Sequence, residues 1–181
     1  MPNLCIPKSV LSSNVCTENP AGLSNYLFAV PVESVNISVD DEANQYTITS
    51  TVAQATALQG YRIDFKSQTG QYTSDDNGTG KGWAATATGR VELSEDEMAW
   101  TSRVLHNSDK YLYFIATGKK VDGKTEFIVV GNENGEADWA VAADSGAARQ
   151  DDHGQTWTVT CGYQLYPLTK FIGTIEQKDA E

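Results

Sequence analysis

The chain has 181 residues, of which 40% are hydrophobic; this is enough apolar material for one domain core and argues against wholesale disorder. No apolar run approaches the roughly 20 residues of a membrane-spanning helix, and residues 1–10 contain no hydrophobic segment typical of a signal peptide. The formal net charge of −11 opposes docking onto nucleic acid or an anionic membrane, because phosphate contacts require Lys or Arg.

Cysteine usage indicates a reducing compartment. The sequence has an odd number of cysteines, and they are widely spaced: Cys5, Cys16 and Cys161. Small domains that are stabilised by disulfides usually contain an even number of cysteines at characteristic spacings. We therefore expect free thiols. Zinc is not expected, because a zinc site needs several ligands close together and the sequence has two histidines, His106 and His153.

Residues 1–23 are predicted to form an irregular N-terminal arm. Three prolines interrupt them, and residues 18–22 (Glu-Asn-Pro-Ala-Gly) form a turn signal. Such an arm is not stable alone, so it would pack on the domain, bind a neighbour or be disordered.

A short apolar run predicts a strand over residues 26–30, and period-2 alternation predicts strands over residues 35–39, 46–52 and 61–65. The last of these has a charged outer face. Residues 69–82 contain four glycines and are predicted to be a long polar loop, a class that is usually functional or mobile. Strand character resumes over residues 83–91.

One helix is predicted at about residues 94–107. Ser94 and Glu97 have the spacing of a capping box, and Arg103 and His106 lie where the negative end of the helix dipole favours cations. One broad face of this helix is expected to lie on a sheet; its members are Met98, Trp100, Thr101, Val104 and Leu105.

The second half of the chain predicts a four-stranded antiparallel meander. Its strands are expected over residues 111–117, 125–130, 138–143 and 156–163, joined by turns at 122–123 and 134–135 and by a polar loop at 144–155. Residues 171–175 add a last strand before a charged tail, 176–181. The predicted fold class is mainly β: a single antiparallel β-sandwich or barrel domain over residues 24–175 with one flanking α-helix.

The sharpest catalytic candidate is residues 144–147 (Asp-Ser-Gly-Ala), which resemble the signature of aspartic proteases. That chemistry needs two carboxylates that share a proton, and a homodimer would supply them. These enzymes also carry a hydrophobic-hydrophobic-Gly element well after the aspartate, whereas residues 129–131 (Val-Val-Gly) precede it and 171–173 (Phe-Ile-Gly) lie close to the end of the sequence. An aspartate capping an ordinary turn is the simpler interpretation, so the homodimeric protease is the least favoured alternative.

No other segment predicts a catalytic, cofactor or metal site. Residues 78–82 are rich in glycine but lack the Walker spacing, and the acidic clusters at 40–42, 75–76 and 151–152 lack the alternating ligands of an EF-hand. We expect His106 to serve the helix C-terminus, His153 to lie in a turn and Cys161 to lie in the core.

The four tryptophans leave two interpretations open. Trp83, Trp100, Trp139 and Trp157 could form a platform on which a sugar stacks. Aromatic residues at strand spacing more often belong to a core or anchor an interface.

Several segments resemble virion structural proteins of tailed bacteriophages, specifically tail-tube or tail-associated proteins. They are residues 127–135 (FIVVGNENG), 144–146 (DSG), 151–159 (DDHGQTWTV) and 166–167 (YP), and residues 16–22 (CTENPAG) have similar character. About half of the chain carries the resemblance.

The resemblance implies a two-sheet sandwich that assembles as stacked rings, commonly hexameric, around an acidic channel through which DNA passes without specific binding. Its partners would be copies of itself and other tail proteins, and it would reside in the virion tail after synthesis in the host cytoplasm. The arm 1–23 and the loop 69–82 would connect subunits or rings. No enzymatic activity and no cofactor are expected. The alternatives are another virion component: a neck or terminator protein, a head decoration, or a carbohydrate- or receptor-binding β-sandwich.

Overall fold

The computed structural model describes residues 23–40, 45–51, 57–66, 68–106, 110–144 and 154–178. Within these ranges the chain is mainly β with one α-helix, which confirms the predicted fold class. The predicted arm (except residue 23), the turn residue His153 and most of the predicted loop 144–155 lie outside the described residues.

The strands and the helix of the described chain follow this order. The first strands are β1 (Tyr26–Pro31), β2 (Val35–Asp40), β3 (Gln45–Ser50), β4 (Ala57–Asp64), β5 (Gln71–Asp76) and β6 (Trp83–Val91). Helix α1 (Glu95–Thr101) continues into a π-helical turn (Ser102–His106). The last strands are β7 (Tyr111–Val121), β8 (Lys124–Val130), β9 (Asp138–Asp144), β10 (Gly154–Gln164) and β11 (Thr169–Gln177).

Five strands close into a barrel in the order β1-β4-β11-β8-β7. Closure depends on β11, whose residues 169–173 pair antiparallel with β8 and whose residues 174–177 pair parallel with β4. A closed barrel leaves no free strand edge. Its interior contains Phe28, Val30, Leu112, Phe114, Phe127 and Val129, and the two-stranded sheet β2–β3 adds Val35 and Ile48 to the same cluster.

A second, antiparallel sheet in the order β5-β6-β10-β9 packs on the outside of this barrel. The core between the two layers includes a stack of aromatic rings. Trp139 lies parallel to Trp157, with ring centroids 5.9 Å apart and an interplanar angle of 3°, and Tyr113 of the barrel stacks on Trp139 at 5.7 Å. All three side chains are buried, so the two layers share one continuous apolar interface.

The helix begins as the sequence predicts. The Ser94 hydroxyl accepts from the Glu97 amide, and the Glu97 carboxylate accepts from the Ser94 amide, which completes the capping box. The predicted apolar face is also confirmed: Thr101 and Leu105 are buried, and Trp100 packs edge-on against Tyr61 with centroids 5.1 Å apart.

The predicted loop 69–82 is wrong over residues 71–76. These residues form β5, which pairs with β6 through Gln71↔Thr88 to Asp76↔Trp83, and only residues 77–82 make the turn. An edge strand with one face in water needs few apolar residues, and β5 turns only Tyr72 toward the core as a large side chain. The apolar alternation that reveals a strand is therefore missing.

The predicted four-stranded meander is also wrong, because β8 and β9 do not pair. β8 pairs with β7 and β11 in the barrel, whereas β9 pairs with β10 in the second sheet. The buried Asn132 stabilises the crossing between the layers. Its Oδ1 accepts from the amides of Asn134 and Glu136 at 3.0 and 3.1 Å, and its Nδ2 donates to the Tyr163 carbonyl at 3.2 Å.

Candidate functional site

The outward face of the four-stranded sheet is lined by small polar side chains. Alternate residues of β6 and β10, such as Ala87 and Trp157, point into the core, so their neighbours point away from it. We call the resulting surface the threonine face. It consists of Gln71, Thr73, Asp75, Ala84, Thr86, Thr88, Arg90, Asp138, Ala140, Ala142, Thr156, Thr158 and Thr160.

The threonine face carries few charges. Its threonines meet across strands, with Thr86 opposite Thr160 and Thr88 opposite Thr158. Its charged members are Asp75, Asp138 and Arg90, and it carries no lysine and no aromatic ring. Such a surface lacks the aromatic and arginine anchors that dominate tight protein interfaces, but it suits contact with water.

Strands β5 and β9 form the two edges of this sheet. They run in opposite directions, because the three successive strand pairs β5–β6, β6–β10 and β10–β9 are all antiparallel. Among the described residues, the backbone hydrogen bonds of β5 go to β6, so the outer side of β5 is an open edge.

The edge at β9 is partly covered. The π-helical turn packs beside the start of the strand, where the Nδ1–H of His106 donates to the carbonyl oxygen of Trp139 at 2.9 Å. A carbonyl can only accept, so this contact fixes the proton on Nδ1. His106 thus lies at the helix C-terminus as predicted, and within the described part of the chain it leaves residues 140–144 as the open part of the β9 edge.

A cleft of about 660 Å³ lies between α1, β4 and the end of β11. Tyr61 and Trp100 meet there at an interplanar angle of 69°, and the Nζ of Lys178 lies 5.5 Å from the centroid of the Tyr61 ring. The Lys178 amide donates to the Gly60 carbonyl at 2.8 Å, which fixes the end of β11 against β4. Arg103 and Asp96 complete the rim.

Two other charged residues of the cleft are already satisfied within the chain. Arg62 bonds the Asp64 carboxylate at 2.8 Å and lies 4.5 Å above the Tyr26 ring. The amide and hydroxyl of Ser94 donate to the Glu97 carboxylate and lower the pKa of that carboxyl.

The predicted core position of Cys161 is confirmed. The side chain is buried, its Sγ donates to the Tyr163 carbonyl at 3.1 Å, and burial raises the pKa of the thiol to about 11. A thiol of this kind is protonated at neutral pH and is a poor nucleophile.

The four tryptophans do not share a surface, so the sugar platform built from all of them is wrong. Trp139 and Trp157 are buried between the layers, Trp83 is half-buried beside the 77–82 turn, and Trp100 lies in the cleft. The cleft had no sequence signal, because its walls come from residues 61–62, 96–103 and 177–178, which are far apart in the chain.

Asp144 of the protease-like motif is the last residue of β9, and residues 145–153 lie outside the described residues. Within the described ranges, no three His, Cys, Asp or Glu side chains are placed to share a metal ion. The helical segments of those ranges include none with the length and apolar character needed to cross a membrane.

Comparisons with known proteins give no relative. No family model, no curated protein and no solved structure matches this chain. A function must therefore be inferred from the surfaces that the described residues present.

Proposed function

We propose that this protein is a structural subunit of a phage tail, which assembles with copies of itself into rings that stack into a DNA-conducting tube. The observation that carries the proposal is a four-stranded sheet that, among the described residues, has one open edge at β5, a partly open edge at β9 and the threonine face between them. The resemblance of residues 127–135 and 151–159 to tail proteins gives this assembly its biological setting.

The two edges are complementary in direction. Because β5 and β9 run in opposite directions, the β9 edge of one subunit can pair antiparallel with the β5 edge of the next. The same contact then repeats head to tail, and such heterologous contacts form a ring when the rotation closes. Each junction would satisfy backbone groups that are otherwise exposed along the edge.

The register of this junction follows from His106 and from charge. Because His106 occupies the β9 edge at Trp139, the neighbour must pair with residues 140–144. Pairing Ala140 with Asp75 achieves this and keeps all threonine-face residues on one side. A register shifted by two residues toward the start of β9 would place Asp138 directly opposite Asp75. Like charges on directly opposite residues are destabilising.

This register also gives the strand tilt that a closed barrel requires. Within one subunit the pairings Gln71↔Thr88, Thr88↔Thr158 and Thr158↔Ala140 place Gln71 and Ala140 at the same height along the strands. Pairing Ala140 with Asp75 of the next subunit, four residues from Gln71, therefore displaces that subunit by four residues along the strand direction. A shift of four residues per four-stranded subunit is one residue per strand. Eight-stranded barrels of shear 8 have the same shift per strand, and their strands tilt by about 36°. Six subunits would then enclose a channel on the order of 40 Å between backbones.

The channel would be lined by the threonine face. Its short side chains leave the channel open, and its hydroxyls hold water. With Asp75 and Asp138 against Arg90, the face adds a small negative charge to a chain of net charge −11. A DNA backbone would therefore meet few cations to bind and would pass without adhering.

Cysteine pairs test the junction directly. In a background with the three native cysteines replaced by Ala, Thr73→Cys combined with Ala142→Cys places the two thiols opposite each other across the proposed junction. Directly opposite Cβ atoms lie about 5 Å apart, close to the separation that a disulfide needs. Mild oxidation should give a ladder of covalent oligomers on a non-reducing gel.

Gln71→Cys combined with Ala140→Cys is the matched control. These two positions lie at the same height within one subunit, but across the proposed junction they are displaced by four residues along the strands. Their thiols should therefore form no disulfide. A ladder from the control pair alone would contradict the register, and no ladder from either pair would contradict edge-to-edge assembly.

Electron microscopy of the purified protein separates the tube from other roles. A tube subunit gives rings and stacked tubes, whereas a neck or terminator protein gives single rings that do not stack. A species that stays monomeric at the highest attainable concentration would overturn the proposal.

A further inference from the structure

We propose that the cleft between α1, β4 and the end of β11 binds an acidic saccharide, a sugar ring that carries a carboxylate. This inference is independent of ring assembly. None of the residues that line the cleft belongs to the threonine face or to the edges β5 and β9.

The size and walls of the cleft suit a sugar ring. A volume of about 660 Å³ is within the range of small-molecule sites. Tyr61 and Trp100 meet at 69° and form a corner of two aromatic walls, and both side chains remain partly exposed. The apolar C–H face of a sugar can pack on such rings, whereas its hydroxyls stay at the polar rim.

The balance of charges at the rim favours an anion. Arg62 forms an ion pair with Asp64, and Glu97 remains an ionised carboxylate that accepts hydrogen bonds from Ser94, so neither is the natural partner of a ligand's carboxylate. Arg103 makes no ion pair among the described residues, and the Lys178 ammonium group lies over the face of the Tyr61 ring. Counted over all lining residues, three cations (Arg62, Arg103 and Lys178) meet two carboxylates (Asp96 and Glu97), so the lining has a formal charge of +1 on a chain of net charge −11.

The remaining polar groups distinguish a sugar from other anions. Asp96 and Gln177 supply acceptors, and Gln177 also supplies an amide donor. A simple aromatic carboxylate has no hydroxyl protons for these acceptors and would leave them unmatched. A ring with both hydroxyls and a carboxylate satisfies the acceptors, the two cations and the aromatic corner together.

Binding can be followed through Trp100, because the core tryptophans Trp139 and Trp157 are shielded from ligand and Trp83 lies outside the cleft. The full chain is titrated with a galacturonic acid trisaccharide and, separately, with the neutral galactose trisaccharide, while tryptophan fluorescence and isothermal calorimetry are recorded. We expect saturable binding of the acidic sugar in the millimolar range or tighter, with weaker binding of the neutral one.

Variants assign the preference to the two cations. Arg103→Gln and Lys178→Gln should each weaken binding of the acidic trisaccharide by about tenfold and leave binding of the neutral one unchanged. Lys81→Gln, at an exposed position of the 77–82 turn, is the control and should change neither. Absence of saturable binding at about 10 mM acidic trisaccharide, or binding that is unaffected by both cation variants, would overturn the proposal.

Discussion

Gly89 of β6 fits against an aromatic ring of β10. A Cβ at this position would lie 2.6 Å from the Nε1 of Trp157, and the ring cannot move away because it stacks on Trp139 and packs against Phe65. Gly89→Ala should therefore lower the free energy of unfolding by about 1–3 kcal/mol, the usual cost of overpacking a core. Urea unfolding measures the change.

Gly162→Ala is the matched control for this substitution. A Cβ at Gly162 meets no atom within 4 Å, so the free energy of unfolding should change by no more than about 0.5 kcal/mol. Equal stability of the two variants would show that the Trp157 ring can shift to accommodate a methyl group.

Weak acids with raised pKa values make the protein sensitive to alkali, among them the buried Cys161 and the partly buried Tyr72. Burial raises the pKa of the Cys161 thiol from 9.0 to about 11 and that of the Tyr72 hydroxyl from 10.0 to about 12. A raised folded-state pKa means that the native state holds the proton more tightly than the unfolded state. The stabilisation is complete below pH 9 and is lost as the pH rises toward 11 and 12.

We expect the free energy of unfolding to fall above pH 9, at first by roughly 1 kcal/mol per pH unit for the thiol. Urea unfolding across the alkaline range measures this slope. Cys161→Ala removes the thiol's share, so its slope between pH 9 and 11 should be shallower than that of the native protein. The same slope in both proteins would contradict a protonated, buried Cys161.

At the scale of the elements, α1 depends on its cap, because seven residues are too few for a helix to be stable alone. Ser94→Ala removes the side-chain acceptor for the Glu97 amide and should lower the free energy of unfolding by about 1 kcal/mol. Ser102→Ala, on the exposed side of the same helical segment, should have almost no effect. Thermal unfolding measures both, and equal losses would contradict a specific role for the cap.

The helix and β5 show why some elements could be predicted and others not. The capping box of α1 and the apolar face of the helical segment are local patterns, and both are confirmed, although residues 102–106 form a π-helical turn. β5 is stabilised by hydrogen bonds to β6, which involve the backbone and leave little trace in side-chain type. Its residues Thr73, Ser74 and Asp75 are equally typical of a loop.

At the scale of the whole molecule, net charge should control assembly. Subunits of charge −11 repel one another, and the proposed junction brings the acidic Asp75 and Asp76 of one subunit beside the β9 edge of the next. Raising the ionic strength from about 0.01 M to about 0.1 M shortens the Debye length from about 30 Å to about 10 Å. Ring formation, measured by sedimentation velocity, should therefore increase with salt.

Asp75→Asn should form rings at lower ionic strength than the native chain, because it removes a charge at the junction. Glu95→Gln, which removes an exposed carboxylate from α1 and has the same net charge, is the control. Assembly that weakens as salt is added would argue against a junction between like-charged edges.

The sequence by itself determined that the protein is mainly β, where most strands and the helix lie, and that Cys161 belongs to the core. Period-2 alternation and capping boxes involve residues that are close together in the sequence, so the side-chain types alone reveal them. The tertiary structure alone decided that β8 and β9 belong to different layers, that β11 runs parallel to β4, and that residues 61, 100 and 178 share a cleft. The physical reason is that alternation identifies the buried face of a strand but not the strands beside it. Neighbouring strands are joined by hydrogen bonds between backbone N–H and C=O groups, and almost every residue type carries the same groups.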